Sequence, residues 1–376
     1  MNSEKRARGS TDAWDLIVQP ERGVEPLVKA IEGARKRVEI LIFRFDRAEI
    51  ENALTAAVKR GVAVHALIAW TNRGGERNLR NLETRLLAAG VTVSRTADDL
   101  ARYHGKMLII DRKRLYLLAF NFTALDIDRS RSFGVSTKSG QLVGDAVRLF
   151  EADCSRQAFT ATEDGLLVSP FNARKRLAGF VQAARKQLLI YDPCVGDPQM
   201  VQLLEERSRG GVEVRVIGSL KRSRGSIEVR PLAQMRLHTR TIVRDLRTAF
   251  IGSQSLRTAE LDGRREIGMF VANRNIVTAF AETFEEDWHL ADLAEKQDVR
   301  TLTGDKLAKK VAKAVTRELP PIGEVIEAVA AELPSRPFDV SALNIEQLEE
   351  TIRSAVKTVV KESVQEAAAT GGPSTI

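Results

Sequence analysis

The chain has 376 residues, 43% of them hydrophobic, with 58 Lys and Arg against 50 Asp and Glu for a formal charge of +8. That length and apolar content suit two domain-sized cores and exclude a disordered chain. Two cysteines, Cys154 and Cys194, in neither CxxC nor metal-type spacing, argue against a disulfide scaffold or a zinc site.

No apolar stretch follows the N-terminal charges and no apolar run is long enough to span a bilayer, so a soluble cytoplasmic protein is expected. Residues 301–376 hold nine Lys/Arg and eleven Asp/Glu, which leaves an excess of ten positive charges on residues 1–300. An excess of that sign favours phosphate-bearing partners: nucleic acid, anionic lipid headgroups or phosphate esters.

In chain order, residues 1–15 read as a solvated arm. A helix-period stretch ending in Ala34-Arg35-Lys36 leads into the apolar run Val38-Glu39-Ile40-Leu41-Ile42-Phe43. A second helix pattern and a second apolar run, Val62 to Ile68, follow, which is β-α-β logic with buried strands. Asn78–Ala89 patterns as a further helix. His104–Asp111 reads as a strand and Leu115–Phe120 as its return.

The text then repeats. Ala184-Arg185-Lys186 and Gly211-Val212-Glu213-Val214 echo Ala34-Arg35-Lys36 and Gly61-Val62-Ala63-Val64 at a separation of 150 residues. Further on the separation is 134: His104, Asp111, Asp128, Arg131, Gly134, Phe150, Glu151 and Asp153 match His238, Asp245, Asp262, Arg265, Gly268, Phe284, Glu285 and Asp287. The first copy thus carries about sixteen extra residues, most simply Asn78–Ala89.

Residues 16–160 and 161–295 are therefore expected to be two homologous α/β units, each a mixed sheet flanked by helices, related by a pseudo-twofold axis. Residues 296–376 are expected to be a helical extension broken by Pro320-Pro321, Pro334 and Pro337. Its stripe Leu307, Val311, Val315 and Leu319, flanked by lysines, is expected to pack on its own protein, although such a helix also suits an anionic membrane surface.

The chemistry concentrates in His104-Gly105-Lys106 and His238-Thr239-Arg240. Histidine and cation at i and i+2 of an extended run share a face. The return strands bring Asn121 and Ser255 towards the same end. Two such copies facing each other surround one phosphate with two imidazoles and two cations. Lys106 and Arg240, with Asn121 and Ser255, can neutralise the non-bridging oxygens. One imidazole can attack phosphorus while the other protonates the leaving group, giving a covalent phosphohistidine without metal or other cofactor. His65 and His289 lack a partnered motif and read as structural, as do Trp288, Phe150 and Phe284. Asp111 and Asp245 read as turn-stabilising.

The pattern His-x-Lys-x4-Asp-x6-Gly-Ser-x-Asn, present twice, resembles the phospholipase D superfamily. The first copy matches at His104, Lys106, Asp111 and Asn121, and the second at His238, Asp245, Gly252 and Ser253. Leu118-Ala119, Arg240 and Ser255 depart from it.

The resemblance implies Ser253 beside the phosphate and a downstream carboxylate orienting each histidine. Glu266 matches that carboxylate; its first-copy counterpart is Ser132, with Asp128 nearby as a substitute. Family precedent makes His104 the nucleophile and His238 the general acid and base, whereas a pairing of Glu266 with His238 argues the reverse. The implied reaction is metal-independent hydrolysis or transfer of a phosphodiester. A phospholipid is favoured, because 5% aromatic residues offer little base-stacking platform. A nuclease, a phosphatidyltransferase and a phosphate-binding non-enzyme are the alternatives.

Overall fold

The computed structural model describes residues 14–70, 76–221, 227–300 and scattered positions between 312 and 363. The chain divides into two compact units, Met1–Asp292 and Leu293–Ile376, and the site belongs to the first. The stripe expected at 305–319 and the arm expected at residues 1–15 fall largely outside the described residues.

The first half runs β1 (Asp15–Gln19), α1 (Glu25–Glu32), β2 (Arg37–Ile42), α2 (Ala48–Lys59), β3 (Ala63–Ile68) and α3 (Glu76–Ala88). It continues through β4 (Thr92–Arg95), β5 (Arg102–Tyr103), β6 (Met107–Ile110), β7 (Arg114–Leu118), α4 (Ala124–Asp128), β8 (Ser130–Thr137) and α5 (Gly140–Ser155). The second half runs β9 (Leu167–Val168), α6 (Ala173–Gln182), β10 (Gln187–Val195), α7 (Pro198–Arg209), β11 (Glu213–Leu220) and β12 (Glu228–Arg230). It ends with β13 (Arg236–Leu237), β14 (Arg240–Arg244), β15 (Thr248–Gly252), α8 (Thr258–Asp262), β16 (Arg264–Arg265), β17 (Ile267–Val271) and α9 (Arg274–Arg300).

The first sheet has the order β1-β8-β7-β6-β2-β3-β4 and the second β9-β17-β15-β14-β10-β11-β12, so equivalent strands occupy equivalent places. In each, a parallel pair (β2·β3; β10·β11) joins an antiparallel meander through β6 or β14. The sixteen residues that break the repeat include α3, for which the short link from β11 to β12 leaves no room.

Period-two burial explains why these runs form strands with two apolar faces. Leu41, Met107, Ile109, Leu115 and Leu117 point into a central core shared with the second sheet and with α5 and α9. Their neighbours Ile40, Ile42, Leu108, Ile110 and Leu118 point into an outer core under α1, α2 and α3. The second sheet has its own outer core, under α6 and α7. Aromatic side chains stitch the central core: Phe133 meets Tyr191 at 5.5 Å and Phe280 at 5.0 Å, and Phe284 stacks on Trp288. Asp111 accepts from the main-chain N–H of Arg35, Lys36 and Arg37, and Asp245 does the same for Arg185, Lys186 and Gln187. These carboxylates seal the helix-to-strand turns, at the far end of the motif strand from the histidines. No helix among the described residues is long and apolar enough to cross a membrane.

Candidate active site

The histidines do not lie within the main strands. β6 begins only at Met107 and β14 at Arg240, and each histidine sits in the extended link between that strand and a two-residue strand before it. Those short strands cross to the other half. β5 pairs in parallel with β16, and His104 donates its main-chain N–H to Arg265 O at 2.7 Å. β13 pairs in parallel with β8, and His238 donates to Arg131 O at 3.1 Å. At the separation of 134 residues these are the same contact made in both directions. Each half therefore holds the other's histidine at the C-terminal ends of the parallel strands, where open α/β sheets place their sites.

Acidic pins secure the two carbonyl-bearing arginines. Arg131 binds Asp287 and Arg265 binds Asp153, again as equivalents. Asp287 also accepts from the Tyr191 hydroxyl at 2.6 Å.

His104 is 7% exposed and held on both ring nitrogens. Nδ1 donates to Glu266 Oε2 at 2.8 Å, and Nε2 accepts from Lys106 Nζ at 2.7 Å. This overturns the expected pairing of Glu266 with His238: the carboxylate of the second copy serves the histidine of the first. The approach demands glycine at position 105, where a Cβ would lie 2.4 Å from Ile267 Cδ1, beside Glu266. The edge of the Phe43–His104 ring pair closes the site from β2, at 4.6 Å between centroids.

His238 is 5% exposed, and its Nδ1 lies 3.4 Å from Asp126 Oδ2 without a well-formed hydrogen bond. Ser132, in the place equivalent to Glu266, is buried, and its hydroxyl finds no partner. Asp128 does not fill the vacancy. It is half exposed and paired with Arg47, because it occupies the outward side of α4 while Asp126 occupies the inward one. Arg240 donates Nη1 to His238 O at 2.5 Å, folding its fork over the link it belongs to.

The expected phosphate donors divide. Asn121 Nδ2 and main-chain N both donate to Asp126 Oδ2, at 2.6 and 2.9 Å, which leaves the second amide N–H for a ligand. Ser255 is the Asn121 equivalent; its N–H is taken by Glu260 and its hydroxyl by the buried Asp192 at 2.6 Å. Ser253 Oγ accepts from Ile267 N at 3.0 Å. Both serines thus fasten strand ends rather than offering free donors.

The charge balance is cationic. Burial, followed by the Lys106 and Arg240 charges, holds the His104 imidazole well below its ordinary range. Burial, then Arg240 and Lys106, does the same to His238. Burial brings the Lys106 ammonium down to about 7 against the opposing pull of Glu266, and burial raises the Glu266 carboxyl. Arg102, Arg264 and Arg236 add to the field on the histidines, and the Arg44 and Arg102 guanidiniums stand over the Phe43 ring. The two histidines lie close enough for the charge of one to act on the other.

Asp126, Phe43, Arg102, Arg236 and Arg264 were not anticipated from the motif. A signal existed for some: Arg102 and Arg236, and the acids Asp126 and Glu260, stand 134 residues apart like the histidines.

Comparison with known proteins bears on this arrangement. The family model described as "Cardiolipin synthase, PLD-like domain" matches residues 27–154 and again 177–288. A curated relative from Pseudomonas aeruginosa named polyphosphate kinase is 22% identical over 249 residues, 61% of this chain and 36% of its own. This chain spans about a third of the length of the curated relatives it matches. The crystal structure of polyphosphate kinase from Porphyromonas gingivalis superposes with a TM-score of 0.61 at 20% identity, over 73% of this chain and 50% of that one. Phosphatidylserine synthase from Haemophilus influenzae Rd KW20 superposes with a TM-score of 0.57 at 11% identity, over 74% and 86%. At these identities the likeness to the solved structures is one of fold.

Proposed function

The chain belongs to the phospholipase D-like family, and from that membership we propose that it transfers a phosphoryl-linked group through a covalent phosphohistidine on His104, with His238 as general acid and base. The observation that carries this is the grip on His104. Glu266 fixes the tautomer with the proton on Nδ1, and the lone pair on Nε2 faces the cation that would meet the phosphate. The neutral imidazole that burial enforces is the nucleophilic form. The proposal includes the division into units at 16–160 and 161–295 and their pseudo-twofold relation, supported by the reciprocal histidine contacts.

In the first step Nε2 of His104 forms a bond to phosphorus while the bond to the leaving oxygen breaks in line. Lys106, Arg240 and the free Asn121 amide N–H bind the non-bridging oxygens. His238 gives that leaving oxygen its proton. Burial and then the Arg240 and Lys106 charges depress His238, so an anionic phosphate that neutralises those charges raises its basicity and loads the proton. In the second step His238 takes the proton of water or an alcohol, which attacks phosphorus and releases His104.

The substrate we assign is a phosphodiester, a phospholipid before a nucleic acid, supported by the family description. A second reading has a specific observation behind it: Arg44, Arg102, Arg236 and Arg264 stand about the site, Arg236 paired with Asp126 and Arg264 with Glu260, a cationic rim wider than one diester occupies. A phosphoanhydride chain would use it, and the curated relatives are named polyphosphate kinase.

One assay separates these readings. Enzyme in chelator is offered phospholipid vesicles, single-stranded DNA, a nitrophenyl phosphodiester, and polyphosphate with ADP. Turnover of lipid or nitrophenyl diester supports the first reading. Turnover of polyphosphate alone supports the second, and steeply salt-sensitive turnover of DNA alone a nuclease. No turnover of any substrate, with no trapped phosphoenzyme, would leave a phosphate binder.

A further inference from the structure

At the far end of β14 from Arg240 lies a cleft of about 650 Å³ bordered by α6 and by the turn between β14 and β15. Four residue steps, roughly 13 Å along the strand, separate Arg244 on its lining from Arg240 in the site. The volume suits a small ligand. Its wall is a four-layer stack. Arg244 lies over Phe180 at 4.4 Å, Phe180 is parallel to Phe270 at 4.7 Å with 10° between planes, and Arg176 lies over Phe270 at 5.1 Å. Phe171 stands at the mouth, 56% exposed, a large ring with no part in the core.

Both guanidiniums are half-buried, and their hydrogen bonds go to main-chain carbonyls: Arg176 to Gly165 and Leu166, Arg244 to Phe180. Among the described residues neither makes an ion pair with a carboxylate. Half-buried cations usually have such a partner, because desolvation is otherwise uncompensated. Burial lowers both guanidiniums from their ordinary range, against partial compensation from the Asp164, Asp145 and Glu163 charges on Arg176 and the Asp245 charge on Arg244. Lys175 adds a third, exposed charge on the same lining.

The internal duplication supplies a control within the chain. Core positions of α6 recur in α1: Leu177 matches Leu27, Val181 matches Ile31 and Ala184 matches Ala34. The cleft positions do not. Phe171, Lys175, Arg176 and Phe180 correspond to Glu21, Glu25, Pro26 and Ala30, and Arg244 and Phe270 to Ile110 and Ser136. The repeated fold does not require this stack.

We propose that this cleft binds a planar aromatic ring bearing phosphate, a nucleotide, with Phe171 as the platform for the ring and Arg176, Arg244 and Lys175 for the phosphate. Glu163 and Asp164 on the same lining provide acceptors for sugar hydroxyls. The site is distinct from the histidines and does not depend on the reaction assigned to them.

The test is calorimetric titration of the full chain with ADP, adenosine and pyrophosphate. ADP should bind His104→Ala as well as it binds the unaltered chain, and more tightly than either fragment. Phe171→Ala and Lys175→Glu, both surface changes, should each weaken ADP by about tenfold without moving the melting temperature. Absence of ADP binding up to several millimolar would overturn the proposal. So would binding that is lost in His104→Ala, or that ignores Phe171→Ala and Lys175→Glu, since the nucleotide would then sit elsewhere.

Discussion

Glu266, fully buried, grips Nδ1 of His104, whereas Nδ1 of His238 has only Asp126 at 3.4 Å and the hydroxyl of Ser132 where the matching carboxylate would be. The surrounding scaffolds are alike down to the reciprocal main-chain bonds that the two histidines donate to the carbonyls of Arg265 and Arg131. A duplicated frame can thus hold two imidazoles in equivalent places and assign them unequal chemistry. A nucleophile benefits from a fixed tautomer and a steady lone pair. An acid and base must gain and lose a proton within one turnover, and a looser partner suits it.

The sharpest way to break this contrast is to remove each histidine in turn. His104→Ala should cut turnover by about 10⁴-fold or more and abolish the trapped phosphoenzyme. His238→Ala should cut turnover on an alkyl ester as deeply, yet an activated nitrophenyl ester should leave a long-lived phosphoenzyme, seen by acid-quench labelling. A phosphoenzyme surviving in His104→Ala and lost in His238→Ala would reverse the assignment.

Glu266→Gln probes the tautomer, and a loss of roughly 10²–10³-fold in kcat is expected, with KM little changed. Ser132→Ala should cost no more than about threefold by the same measurement, since Ser132 Oγ holds nothing. Equal losses would show that the halves are not specialised.

Asp126→Asn comes next, at about tenfold in kcat. Asp126 stabilises protonated His238 through space, so the acid-donating limb of the pH–rate profile should move to lower pH in this variant. An unmoved limb would make Asp126 a holder of Asn121 and Arg236 alone.

The smallest effect is on stability. Lys106 titrates near 7 in the folded chain against 10.5 when unperturbed. Between those values the unfolded chain binds more protons, so stability rises with pH and the cost of the buried ammonium is greatest below 7. Lys106→Met should therefore raise Tm by about 2–6 °C at pH 6 and by progressively less towards pH 10, while activity is lost. A gain independent of pH would mean that folded and unfolded chains bind this proton equally, so that folding does not shift the titration of Lys106.

Two distances along the chain separate what was legible from what was not. Within ten residues, spacing decides which face a side chain takes, so His104 with Lys106, the buried strands around Ile40 and Leu108, and the turn carboxylates Asp111 and Asp245 could be read from the residues. Over 134 residues, repetition revealed the duplicated frame and its extra helix. The basic stripe at 305–319 lies largely beyond the described residues.

The amino-acid order by itself determined the two α/β copies, the pair of histidine motifs and the residue types gathered in them, because each is encoded by neighbours or by recurrence. Tertiary structure alone decided that Glu266 reaches across to His104, that Asp126 rather than Asp128 turns inward, and that Ser255 is spent on Asp192. Those partners are set by how two sheets pack about a common core, and a carboxylate in one half cannot reveal through its own neighbours which imidazole the packing will bring opposite it.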